Sequence, residues 1–139
     1  MKHLSSILLT ISIFIYTSCD KANNGADVCN DVVCSGIYAT VLVNVQDINR
    51  NEVSLFDFYT IRKSTGDTIR LPRNNGAMPF TSPYTVLSDY YMNVFKNRSD
   101  HFRFIGIKDG KTVIDQEYFI TADCCHIKKV TGPDTITIP

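Results

Sequence analysis

The chain has no tryptophan, only three methionines and no apolar run long enough to span a bilayer. A membrane-crossing helix needs about 20 such residues. The best stretch, residues 7–16 (ILLTISIFIY), falls well short and is interrupted by Thr10 and Ser12. Charge of one sign is also missing, since 14 Lys and Arg stand against 14 Asp and Glu. That balance gives no long-range pull on nucleic acid, and no nucleic-acid partner is expected. There is no Cys-x-x-Cys spacing, which removes the usual mark of a thioredoxin-like redox centre and of a zinc ribbon. No segment repeats internally, and none carries apolar residues at a helical period.

The N-terminus carries a targeting pattern. Met1-Lys2-His3 is a short basic start, residues 7–16 are an apolar core, and Thr17, Ser18 and Cys19 follow. A basic start, a short apolar run and small residues at its end describe a secretory signal peptide. Thr17-Ser18-Cys19 also resembles the lipobox of bacterial lipoproteins, with Tyr16 where that pattern usually has an aliphatic residue. The resemblance implies cleavage before Cys19 and fatty acyl chains on Cys19. Two or three chains would anchor the protein stably, because each buried methylene contributes about 0.8 kcal/mol. The membrane is then a partner through the lipid on Cys19.

The expected organisation is a lipoprotein signal peptide over 1–18, a lipidated Cys and flexible tether over 19–33, and one folded domain over 34–139. Residues 20–27 (DKANNGAD) are polar and aperiodic, as a tether should be. After Cys19, 120 residues remain, enough for a single domain with a real core. With Lys2 gone, 13 basic residues face 14 acidic ones, a net charge of −1.

That domain reads as strands. Ile37, Ala39, Val41, Val43 and Val45 alternate with Tyr38, Thr40 and Asn44, the period of a half-buried strand. Further strands are predicted over 53–62, 68–71, 84–87, 90–95, 101–107, 112–121, 125–130 and 134–138. Asp109-Gly110 supplies the two positive-φ positions of a type I′ hairpin turn. About 7–8 short strands at such spacing predict an all-β, antiparallel β-sandwich.

Besides Cys19, four cysteines remain: Cys29, Cys34, Cys124 and Cys125. Outside the cytoplasm, an even number in a small domain reads as disulfides. Bonding Cys124 to its neighbour Cys125 would strain the bridge, so links between the early and late pairs are favoured. Such links close loops of about 90 residues, stabilising by between roughly 4 and 5 kcal/mol on the chain-entropy model. Two cross-pairings stay open on this ground. A zinc site from these sulfurs and His126 is disfavoured, because adjacent residues on a strand point to opposite faces. No metal or cofactor is expected.

Other residue patterns carry less. Residues 47–52 (DINRNE) begin like a calcium loop, but Glu52 stands where the loop needs Gly and Phe58 where it needs Glu. A hairpin turn is the better reading. Asp115 and Glu117 share one face of a strand, which reads as a solvated face. Asp57 joins them as a carboxylate to watch should a pocket exist. Lys128-Lys129 is likewise a solvated pair. No serine or threonine has a His/Asp setting visible in the sequence, so no catalytic residue is assigned. The best binding candidate is the loop over 72–83, which holds three of the five prolines. Met78 and Phe80 there must pack down or meet a partner. Tyr84, Tyr90 and Tyr91 could add aromatic contacts to a glycan or peptide, since loops at sandwich ends commonly carry recognition.

The domain as a whole resembles a group of small Bacteroides-type lipoproteins. The likeness rests on Cys34 before "IYATVLVNVQD", on "DFYTIRKSTGD" and on the ending "ITADCCHIKKVTGPDTITI". It implies that Cys34 pairs with Cys125, which leaves Cys29 for Cys124. The strand-turn-strand start also resembles carboxypeptidase regulatory-like, transthyretin-type sandwiches, with Asn49 and Asn51 in place of the usual turn Gly. Asp67-Thr68-Ile69 and Asp134-Thr135-Ile136 match the triplet that such bacteria O-glycosylate. The location implied is the outer membrane. The function expected is a non-catalytic binding or structural module with an envelope protein or glycan as partner. The alternative is an accessory subunit presenting glycan or peptide to an uptake system.

Overall fold

A computed structural model describes residues 29–70 and 80–139. The signal peptide over 1–18, Cys19, residues 20–28 of the tether and Met78 lie outside the described residues.

Among the described residues, eight strands form two sheets. They are β1 (Thr40–Asp47), β2 (Asp57–Arg62), β3 (Thr68–Ile69), β4 (Tyr84–Ser88), β5 (Arg98–Lys108), β6 (Lys111–Ala122), β7 (Ile127–Thr131) and β8 (Thr135–Ile138). One sheet has the order β4-β1-β8 and the other β3-β2-β5-β6-β7. The architecture is an all-β sandwich. All pairs are antiparallel except β1 with β8, which run parallel. That departs from the purely antiparallel expectation, because the chain crosses from one sheet to the other between β7 and β8.

Alternation builds the core. Val41, Val43 and Val45 of β1 are buried while their neighbours Thr40, Leu42 and Asn44 are exposed. They meet Phe102 and Phe104 of β5 and Tyr118 and Ile120 of β6. Phe58 sits among Phe80, Tyr84 and Phe104, with ring centroids 5.1, 5.2 and 5.9 Å away. Thr60 of β2 donates its hydroxyl to the Val86 carbonyl of β4 at 2.6 Å, a polar tie between the sheets. The hairpin between β5 and β6 has Asp109 and Gly110 at φ 50° and 73°, as the type I′ reading requires.

Two predicted strands change character. Residues 53–56 connect the sheets instead of opening a strand. The Val53 N–H bonds to Val45 in one sheet, and the Phe56 N–H to Ile107 in the other. The stretch predicted as a strand over 90–95 is a 3-10 helix, Asp89–Val94. Residues 47–51 form the expected turn, with the Asp47 carboxylate accepting from the N–H groups of Asn49 and Asn51 at 2.8 and 2.9 Å.

Candidate functional site

The four cysteines of the domain form two disulfides, Cys29–Cys124 and Cys34–Cys125, with Cα atoms 5.3 and 5.2 Å apart. The first ties residues 29–33, read from sequence as tether, to the sandwich. Cys124 and Cys125 lie in the connection between β6 and β7, so the strand predicted to start at Cys125 starts at Ile127. Asp123 shapes this connection. Its Oδ1 accepts the N–H groups of Cys125 and His126 at 2.6 and 2.7 Å. Those two amides hold the Asp123 carboxyl below its ordinary range. In a turn of this kind both neighbouring sulfurs can reach one incoming segment, which a flat strand would prevent.

The same turn presents His126. Its Nδ1 lies 2.8 Å from Asp89 Oδ2, and its Nε2 lies 3.1 Å from Ser35 Oγ. Asp89 opens the 3-10 helix and is fixed by more than the imidazole. Its Oδ2 accepts the Ala39 N–H at 2.7 Å and its Oδ1 the Ile127 N–H at 2.8 Å. Burial acts to raise the Asp89 carboxyl. The hydrogen bonds from His126, Ala39 and Ile127 outweigh it and hold the group below the usual carboxylate range. Asp89 therefore stays ionised and joins the residue before β1, the start of β7 and the disulfide turn at one point.

Sequence reasoning missed this array because positions 35, 89 and 126 share no local pattern. The signal lay in two dipeptides. Ser35 follows Cys34 and His126 follows Cys125, so the Cys34–Cys125 bond brings serine and histidine to each other.

The aromatic candidates divide. Tyr84 is a correction: it is 1% exposed and belongs to the core. Its hydroxyl lies 2.9 Å from the Leu55 nitrogen, 2.8 Å from the Val53 oxygen and 2.6 Å from the Phe80 oxygen. Phe80 is half-buried and packs on the same core. Tyr90 is 63% exposed, with its ring 5.1 Å from that of Tyr91. Tyr91 is half-buried and donates its hydroxyl to the Arg70 carbonyl at 2.5 Å. Burial and the nearby phenols of Tyr90 and Tyr38 push the Tyr91 phenol up. Tyr38 is exposed, so it joins Tyr90 and Tyr91 as a surface aromatic that the sequence did not single out. Tyr90 directly follows Asp89, which places the tyrosines beside the His126 turn.

The carboxylates singled out in the sequence, Asp57, Asp115 and Glu117, each lie against a basic side chain. Arg70 binds Asp57 at 2.8 Å, Arg103 holds Asp115, and Glu117 lies 2.9 Å from both Lys63 and His101. Lys129 contacts Asp134. Among the described residues, no group of His, Cys, Asp and Glu gathers as a metal site would require. Thr68 and Thr135 are exposed on their strands. No protein-family model, curated protein or solved structure matches this chain.

Proposed function

We propose that the chain is a lipid-anchored protein of the bacterial cell envelope, held to the outer membrane through Cys19, whose sandwich binds an envelope protein or glycan. The observation that carries this reading is the pair of long-range disulfides that fasten residues 29–34 to the turn between β6 and β7. Cys29 and Cys34 bond to positions 95 and 91 residues away. Such bonds persist in an oxidising compartment, where the leader and the lipobox-like Thr17-Ser18-Cys19 would deliver the chain. They also fasten the domain where a membrane tether would pull on it. Tyr38 and Tyr90, both exposed, supply the recognition surface. Rigid aromatic faces of this kind are enriched where proteins meet partners.

Peptide mass spectrometry of the protein extracted from its native membrane, without reduction, tests the proposal. A diacylated or triacylated peptide beginning at Cys19 is expected, and Cys19→Ala should move the protein out of the membrane fraction. An unmodified Cys19, or an intact leader over 1–18, would overturn the anchor.

A further inference from the structure

Ser35, His126 and Asp89 come from three distant parts of the chain and stand in the order of nucleophile, base and orienting acid. Ser35 Oγ to His126 Nε2 is 3.1 Å and His126 Nδ1 to Asp89 Oδ2 is 2.8 Å. Their settings grade in the same order. The Asp89 side chain is 7% exposed and that of His126 28%, while Ser35 faces solvent. A carboxylate only accepts hydrogen bonds, so the proton of neutral His126 sits on Nδ1 and Nε2 keeps its lone pair for the Ser35 hydroxyl. The two backbone amides on Asp89 keep the carboxylate from swinging away. Among the described residues, the Gly36 N–H has no hydrogen-bond acceptor. The amide after a nucleophilic serine is a position from which an oxyanion can be held.

We infer that Ser35 is a nucleophile, activated by His126 and oriented through Asp89, that takes acyl groups from carboxylic esters. This activity goes beyond the proposed anchoring and binding and does not depend on them. Ser35 Oγ attacks the ester carbonyl carbon while its proton passes to His126 Nε2, and Asp89 stabilises the imidazolium formed. The tetrahedral adduct collapses, the ester C–O bond breaks, and the leaving alkoxide departs as alcohol with the proton from His126. Water then gives a proton to the same nitrogen as its oxygen attacks the acyl carbon; the acyl–Oγ bond breaks, Ser35 Oγ takes that proton back from His126, and the carboxylic acid leaves. Water is the only co-reactant, and nothing is oxidised or reduced.

The disulfide adds a condition. Cys34–Cys125 joins the residues immediately before Ser35 and His126, so the covalent link holds nucleophile against base. Reduction would free Ser35 and silence it.

The test treats the intact, oxidised protein with an alkyl fluorophosphonate and locates the phosphonylated residue by peptide mass spectrometry. Ser99 serves as the internal control. It is exposed, and among the described residues its hydroxyl donates to the Thr121 hydroxyl at 3.0 Å. Ser35 should react at least about 100-fold faster than Ser99, the scale of general-base assistance. That advantage should disappear in His126→Phe and after disulfide reduction, and Ser35→Ala should leave position 35 unlabelled in a folded protein. Equal rates at Ser35 and Ser99 in the unsubstituted protein would overturn the inference and leave the three side chains as a structural fastening. The decisive comparison lies within one native molecule, so a variant that fails to fold cannot obscure it. Loss of the lipid on Cys19 would leave it untouched.

Discussion

The Tyr84 hydroxyl is shielded from solvent and stands among the backbone groups of Leu55, Val53 and Phe80. Residues 53–56 cross between the sheets, so their amides and carbonyls have no full strand ladder to satisfy them. The phenol supplies what the ladder does not. It accepts the Leu55 N–H, and its single proton serves the two carbonyls. Burial pushes this phenol up, which keeps it protonated as that role demands. Tyr84→Phe removes one oxygen and with it the phenol's hydrogen bonds to the Leu55 N–H and to the Val53 and Phe80 carbonyls. It should lower the unfolding free energy by about 1–3 kcal/mol. Urea titration checks this, with the midpoint falling and the slope unchanged. A midpoint equal to that of the unsubstituted protein would show that water replaces the phenol at no cost. From sequence alone Tyr84 and Tyr90 look alike, as aromatics beside turns. What separates them is tertiary: a strand position facing the core for one, an exposed position in a 3-10 helix for the other.

Between elements, the critical step is the passage from β7 to β8, where one extended segment leaves the five-stranded sheet and joins the three-stranded one. Gly132 makes the change at φ 123°, in a region that side chains rarely enter. A Cβ there would lie 2.2 Å from the Tyr118 ring. Tyr118 is itself fixed, buried in the core with its hydroxyl donating to the Pro133 carbonyl at 3.0 Å. Gly132→Ala therefore meets both backbone strain and overpacking. Together these should cost about 2–4 kcal/mol, measured by chemical denaturation. A loss below about 1 kcal/mol would mean that the segment between the sheets repositions freely. The break between the strands predicted over 125–130 and 134–138 was legible, as Asp109-Gly110 was as a hairpin, because turn chemistry is local. The parallel pairing of β1 with β8 was not legible, since partners so far apart in sequence leave no local trace. The strand predicted over 90–95 failed for a related reason. A short aromatic stretch fits either a strand or a single helical turn. The choice falls to Asp89, whose carboxylate is drawn to His126, Ala39 and Ile127, contacts that exist only in the fold.

For the whole molecule, the two disulfides act together and not as independent clamps. The cysteines and the bonding of the early pair to the late pair were readable from the chain. The Ser35, His126 and Asp89 array was readable only through that pairing. With either bond in place, the loop of about 90 residues is closed, which stabilises by about 4.6 kcal/mol in the chain-entropy model. The second bond then closes only a small ring of about 8 residues, through Cys29, Cys34, Cys124 and Cys125, worth about 2.5 kcal/mol. Removing Cys29–Cys124 alone, as Cys29→Ala with Cys124→Ala, should therefore cost about 2.5 kcal/mol. Removing both bonds should cost about 7 kcal/mol, well over twice as much. Guanidinium unfolding of the oxidised, singly bonded and fully reduced forms measures the three stabilities. Equal steps for the first and second bond removed would show that the two cross-links constrain separate parts of the unfolded chain. A small first step and a large second one would show that they serve as one double clasp, in which the loss of either bond is tolerated because the other still holds the start of the domain to its end.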